Sequence, residues 1–187
     1  MTDWPEQRLP PPDPAAYTPL QQEAHDAFVN SPRGMVVGPL ALWIHRPELA
    51  LAAQTLGSYL RFETSLGRKL TELAILTTAK LWTSEFEWYA HKPMAVDAGL
   101  SDAVIEAIRT GDEPPFESEE ERAVHSFARE AATARAVSDA LYAETIGVLG
   151  KDRLVDLVAL IGYYGFVSLT LNTFRILPPE DAPRELS

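Results

Sequence analysis

Cysteine is absent from this chain of 187 residues. That removes disulfides, thiolate metal sites and cysteine nucleophiles together. Positive charge is scarce, with 16 Lys and Arg against 27 Asp and Glu and a formal net charge of −11. So acidic a surface repels phosphate backbones, and nucleic acid is not an expected partner. Metal-ligand patterns are missing as well. There is no HExxH or paired-histidine motif, and His25, His45, His91 and His125 do not cluster along the chain. No P-loop and no G-x-G-x-x-G occurs. The opening "MTDWPEQRLPPPDPAAY" has neither a basic start nor an apolar run, so no signal peptide is expected. The longest apolar region, "LVDLVALIGYYGFVSLTLNTF", is interrupted by Asp156, two glycines and several hydroxyls. It reads as buried, either a helix pair broken near Gly162 or Gly165 or one long helix, rather than as a membrane span. The expectations are a cytoplasmic location and no membrane partner.

What is present suits one globular domain. Hydrophobic residues make up 46% and charged residues 23%, the balance of an ordinary soluble core-forming chain. Residues 1–17 form a Pro-rich arm with Pro5, Pro10, Pro11, Pro12 and Pro14, where polyproline II is expected and helix is not. A single helical domain is expected over 18–177, followed by a C-terminal tail over 178–187. Thr18 with Gln21 and Ser118 with Glu121 read as capping boxes. Gly99, Gly111 and Gly150 read as helix stops. "GMVVGPLALWIHRPEL" reads as an apolar connection, and "ESEEER" (117–122) as a solvated helix start whose charges favour the helix dipole. No alternating strand pattern or hairpin turn is found. The fold class is all-α, with seven or eight helices.

One internal echo is visible. "RKLTELAIL" (68–76) resembles "DRLVDLVAL" (152–160) at an offset of 84, which sets Glu72 on Asp156, Ser84 on Ser168 and His91 on Arg175. The echo suggests two pseudo-repeated helical halves.

The chemistry concentrates in "SEFEWYAHKP", Ser84 to Pro93. Ser84 and Glu87 match a capping box, which needs no function to explain it. His91 is left over. It stands four residues after Glu87 on the same helix face, and a carboxylate and an imidazole sharing a buried stripe tune each other's proton affinity. Pro93 sits inside this helix, frees the Tyr89 carbonyl and should kink it. The candidate acid/base residues are His91, Glu87 and Glu72. Glu72 reaches the site only if the chain folds back at Trp82-Thr83, because on one straight helix Glu72 and Ser84 would lie about 18 Å apart.

The stretch "RKLTELAILTTAKLWTSEFEWYAHKPMAVDAGLSDAVIEAI" resembles the carboxymuconolactone decarboxylase family, whose superfamily also holds the AhpD-type alkylhydroperoxidases. The likeness continues at "LVALIGYYGFVSLTLNTFRI", where a Gly-aromatic step precedes an Asn and an Arg. With the upstream "GPLALWIHRPELALAAQTLGSYLRF" it covers roughly 34–177. It implies an AhpD-like helical bundle and a homo-oligomer, whether dimer, trimer or hexamer. The peroxidase branch carries Glu, Cys-x-x-Cys and His. Its Glu and His match Glu72 and His91, and its cysteines fall on Ser84 and Glu87, so the thiol cycle has no atoms to run on here. The decarboxylase branch, with its Glu-x-x-x-His segment, matches Glu87 and His91. It implies a reaction without metal or organic cofactor, in which CO2 leaves a lactone acid and a double bond moves. The expected ligand is therefore a small carboxylated or lactone molecule. Arg61 or Arg175 would hold its carboxylate, and Ser84, Trp88 and Tyr89 would line its pocket.

Overall fold

The structure, a computed structural model, describes residues 5–186. The first four residues of the Pro-rich arm lie outside that range. The described residues form nine α-helices and no strand: α1 Pro19–Val29, α2 Pro39–Trp43, α3 Pro47–Phe62, α4 Arg68–Leu81, α5 Glu85–Asp97, α6 Asp102–Thr110, α7 Glu119–Ala134, α8 Asp139–Leu149 and α9 Lys151–Phe174.

α4 is the axis of the bundle and packs against α5, α7 and α9. Ten consecutive residues of it, Leu70 to Ala79, are buried. A helix buried on every side must satisfy its polar groups internally. Thr77 and Thr78 do so by donating to the Leu73 and Ala74 carbonyls, each at 2.8 Å. Glu72 does so through the site described below.

Two local expectations are corrected and one open alternative is decided. The apolar connection contains α2, which starts where Gly38 takes φ 59° and Pro39 supplies the fixed φ of a first helical position. Phe86 occupies the space a Cβ on Gly38 would need, at 2.5 Å, so the turn and the start of α5 are built against each other. The Pro-rich arm holds one 3-10 turn, Pro14–Ala16, capped by Asp13. Its Arg8 donates from backbone and guanidinium to the Phe174 and Thr173 carbonyls, so the arm closes the C-terminus of α9. Of the two forms expected for 154–174, a buried helix pair or one long helix, the second is found, as part of the unbroken α9. By length and composition α9 is apolar enough to cross a membrane, with a mean hydropathy of 1.8 over its best window, but 61% of that window is buried inside the fold. Packing outweighs the two internal glycines, each of which costs only about 1 kcal/mol of helix propensity.

The capping boxes divide. Thr18 and Gln21 form the full reciprocal pair. Ser118 accepts from Glu121 N at 3.2 Å, but the Glu121 carboxylate turns to Glu117 N and to Lys69 Nζ and is buried. That member of the acidic run is therefore an ion-pair partner in the core rather than a solvated charge.

Candidate active site

The chain reverses between α4 and α5 through a Schellman turn. Ser84 N donates to the Ala79 carbonyl at 2.9 Å and Thr83 N to the Lys80 carbonyl at 3.0 Å. Thr83 takes the left-handed position at φ 48°, which a β-branched residue rarely adopts. Asn172 of α9 pins the turn by donating to the Trp82 carbonyl at 2.7 Å. The reversal lays α5 back along α4 and brings Glu72 to His91.

His91 is held from both sides. Its Nδ1 lies 2.6 Å from Glu72 Oε2 and its Nε2 lies 3.0 Å from Glu87 Oε1. All three side chains are buried. Burial alone would lower the imidazole pKa, but the charges and hydrogen bonds of Glu72 and Glu87 outweigh it and raise the pKa above 6.5. Each ring nitrogen thus faces a carboxyl oxygen, an arrangement that favours the protonated ring over a free imidazole. The carboxylates approach different nitrogens of the ring, so they form a relay and do not converge on one point. Among the described residues no three His, Asp or Glu side chains form a set that could hold a metal ion.

Glu87 therefore turns forward to His91 and not back to its helix end. Ser84 is the N-cap of α5, but its side chain makes no capping bond and its hydroxyl is buried without a partner. The capping box expected at Ser84 and Glu87 is not formed, because the Schellman turn already uses the Ser84 N–H. Pro93 does not end α5. It lies on the exposed side with Tyr89, whose freed carbonyl water can reach.

Beside the relay lies a cavity of about 280 Å³, at the small end of ligand pockets. Glu87 and His91 line it, and Glu72 does not. Of the residues expected to meet a ligand, only Arg61 lines it. Trp88 is a core residue whose indole N–H donates to Glu185 at 3.3 Å. Tyr89 points outward and is 43% exposed. Ser84 is sealed in the turn, and Arg175 is the left-handed C-cap of α9. Consecutive positions on α5 face different ways, so a run of aromatics beside Glu87 and His91 is divided between core, solvent and pocket.

The local pattern missed other residues. Arg33, in the turn after α1, lines the cavity, as do Arg68, Phe86 and Tyr164. Tyr164 meets the His91 ring edge-on at 5.3 Å, and its hydroxyl is buried without a partner. Burial raises its pKa, so the phenol stays protonated. The C-terminal tail is also part of the support. Glu85 accepts from the Glu185 and Leu186 backbone N–H groups at 3.0 Å each, while the Glu185 carboxylate holds Lys92 at 2.5 Å. The tail thus grips α5 at positions 85, 88 and 92, while His91 meets Glu72 of α4 and Glu87 lines the cavity. No signal in "PRELS" announces this role.

This bundle, with its reversed α4–α5 pair, has counterparts among solved structures. A peroxidase-related protein from Silicibacter sp. TM1040 matches with a TM-score of 0.75 at 16% identity, over 100% of this chain and 98% of that one. The fold is AhpD-like. A peroxidase-related protein from Ralstonia eutropha JMP134, described as an alkylhydroperoxidase AhpD core, matches with a TM-score of 0.72 at 20% identity over 93% of each chain. A cysteine-to-alanine form of the debrominase Bmp8, in complex with 2,3,4-tribromopyrrole, matches with a TM-score of 0.76 at 14% identity over 95% of each chain. No family model and no curated protein matches the sequence. At these identities the likeness concerns the AhpD-like fold, here in a chain without cysteine.

Proposed function

We propose that this protein is a cofactor-free acid/base lyase or isomerase acting on a small carboxylated or lactone substrate, as its resemblance to the carboxymuconolactone decarboxylases implies. The observation that carries the reading is the buried Glu72–His91–Glu87 relay, which meets the cavity at Glu87 and His91. Glu87 is the group that exchanges a proton with substrate carbon, His91 supplies or stores that proton through Nε2, and Glu72 stabilises the imidazolium from behind. In a decarboxylation the C–C electrons stay on the substrate as CO2 departs, and the carbon takes the proton passed from His91 through Glu87. In an isomerisation the same groups remove a proton from one carbon and return it to another. In this reading Tyr164, whose buried hydroxyl has no partner among the described residues, donates to the enolate oxygen of either intermediate.

The test offers the protein carboxylated lactones and β,γ-unsaturated acids in D2O, following CO2 release and carbon-bound hydrogen exchange by NMR. Turnover that falls by about 100-fold or more in Glu87→Gln supports the reading. Equal rates in wild type and Glu87→Gln would sink it. A second reading is a small-molecule binder without turnover. It is favoured by one observation: both His91 nitrogens are already occupied by carboxylates. Tight binding with neither CO2 release nor exchange would establish it.

We also propose a homo-oligomer. A stripe of exposed apolar residues on α9 supports this, with Val155 at 68%, Val158 at 53%, Phe166 at 37% and Leu169 at 52% exposure. Sedimentation showing a monomer at micromolar concentration would remove it.

A further inference from the structure

The cavity contains cationic donors that have no hydrogen-bond acceptor among the described residues. Arg33 Nε and Nη2 are buried and have no acceptor. These two atoms are the parallel donors along one edge of the guanidinium, the edge that matches the two oxygens of a carboxylate. Arg61 Nε is likewise buried without an acceptor, and its Nη2 meets only the sulfur of Met94, a weak acceptor. Neither arginine has a carboxylate within ion-pair distance among the described residues.

The fold makes room for this arrangement. A Cβ at Gly57 would fall 2.6 Å from Arg33 Nη2 and also crowd the Tyr163 hydroxyl, so glycine lets the Arg33 guanidinium lie against α3 where a side chain would displace it. Arg61 follows Gly57 by four residues and shares its face of α3. Two cations are thus gathered on one wall of a small cavity without an anion between them. Partly desolvated like charges are costly unless something pairs them. Much of the remaining lining is apolar, including Met35, Val37, Leu40, Phe86 and Val167, and its polar part is Arg68, Glu87, His91, Tyr163 and Tyr164.

We propose that Arg33 and Arg61 form a carboxylate-binding subsite, and that the ligand is a small unsaturated organic acid held by this carboxylate as a handle while a different carbon meets Glu87. The assignment deepens the acid/base reading of the same site and rests on it for the reacting end. Its physical content is a division of labour. A carboxylate locked between two guanidiniums is stabilised in its charged ground state, which opposes its loss as CO2. The handle is therefore retained through the reaction. A substrate that is decarboxylated must carry a second carboxyl group, and a substrate with one carboxylate is isomerised.

Binding is measured by calorimetry with sorbate, benzoate and a lactone-acetic acid, each beside its neutral primary amide. Wild type is expected to bind at least one acid about tenfold or more tighter than its amide. Arg33→Gln and Arg61→Gln should each remove most of that difference while leaving the amide's affinity unchanged. Arg33→Lys, which keeps charge but loses the two-donor edge, should recover only part of it. Arg175→Gln, outside the cavity, should change nothing. If one variant fails to fold, the other arginine carries the same comparison. Equal affinity for acid and amide, no binding of any acid, or an acid affinity untouched by both substitutions overturns the proposal. These outcomes are separable from failure of the acid/base reading. Acid-selective binding without turnover leaves the handle and removes the chemistry, whereas turnover indifferent to the carboxylate does the reverse.

Discussion

Two segments of this chain begin alike and then part. Arg68–Leu76 and Asp152–Leu160 carry the same spacing of leucines, their helices each start directly after a glycine held at positive φ, and Glu72 stands where the other has Asp156. After about four turns α4 stops at Trp82, reverses through Thr83 and returns as α5. α9 runs straight through the corresponding positions to Phe174. The consequence is chemical. Glu72 meets an imidazole brought back to it, while Asp156 accepts a hydrogen bond from Tyr59 at 2.8 Å and belongs to no relay. The echo therefore holds for the helix starts and fails after them, with no second copy of the His-bearing arm. An acid on a core helix becomes part of a site only when the chain turns back over it.

The comparison breaks most visibly at its acids' partners. His91→Ala leaves two buried carboxylates facing each other without a cation and is expected to cost about 3–5 kcal/mol in urea unfolding. Asp156→Asn, at the matching position, keeps an acceptor for Tyr59 and should cost about 0.5–1.5 kcal/mol. Similar losses in both would erase the distinction between relay and simple hydrogen bond.

The pH dependence sharpens it further. Because the folded His91 pKa lies above its ordinary 6.5, the ring contributes stability that is fully present below about pH 6.5 and is lost as pH rises through the folded value. Unfolding midpoints of wild type minus His91→Gln should therefore fall above neutrality, and Asp156→Asn should leave that difference curve in place. A flat curve would mean the ring is neutral in the folded protein.

The turn itself carries smaller energies. Asn172→Ala removes the bond from α9 to the Trp82 carbonyl and should cost about 1 kcal/mol by chemical unfolding, with loss of activity exceeding that loss of stability. Thr83→Gly relieves a left-handed β-branched residue and should raise stability by about 1 kcal/mol. Smallest of all, Gly162→Ala on the straight partner helix meets open space and should gain about 0.5–1 kcal/mol of helix propensity. A destabilised Gly162→Ala would mean that α9 needs a break there.

Much of the fold was legible because it rests on local rules. Thr18-Pro19, Ser101 and Gly111 mark helix ends by the bonds their own backbones and side chains make. The missed features are those in which distant residues compete for a local group. Ser84 and Glu87 satisfy a capping pattern on paper, but the turn takes the Ser84 N–H and His91 takes the Glu87 carboxylate. Gly162 and Gly165 allow a break, but burial of one whole side of α9 holds it straight. Glu121 looks solvated in an acidic run until Lys69 reaches it from the start of α4.

The sequence by itself determined that the chain is helical, that thiol chemistry is closed to it, and that Glu87 and His91 share a helix face. Those conclusions need only composition, helical period and spacing. Tertiary structure alone decided that Glu72 closes the relay from the far side of His91, that Glu87 faces the cavity, and that Arg33 and Arg61 stand together on one wall while Trp88, Tyr89 and Arg175 do not. The physical reason is separation along the chain. Glu72 lies 19 residues from His91, and Arg33 lies in a turn before α2, so a reversal and a close packing against Gly57 had to occur before either could belong to the site.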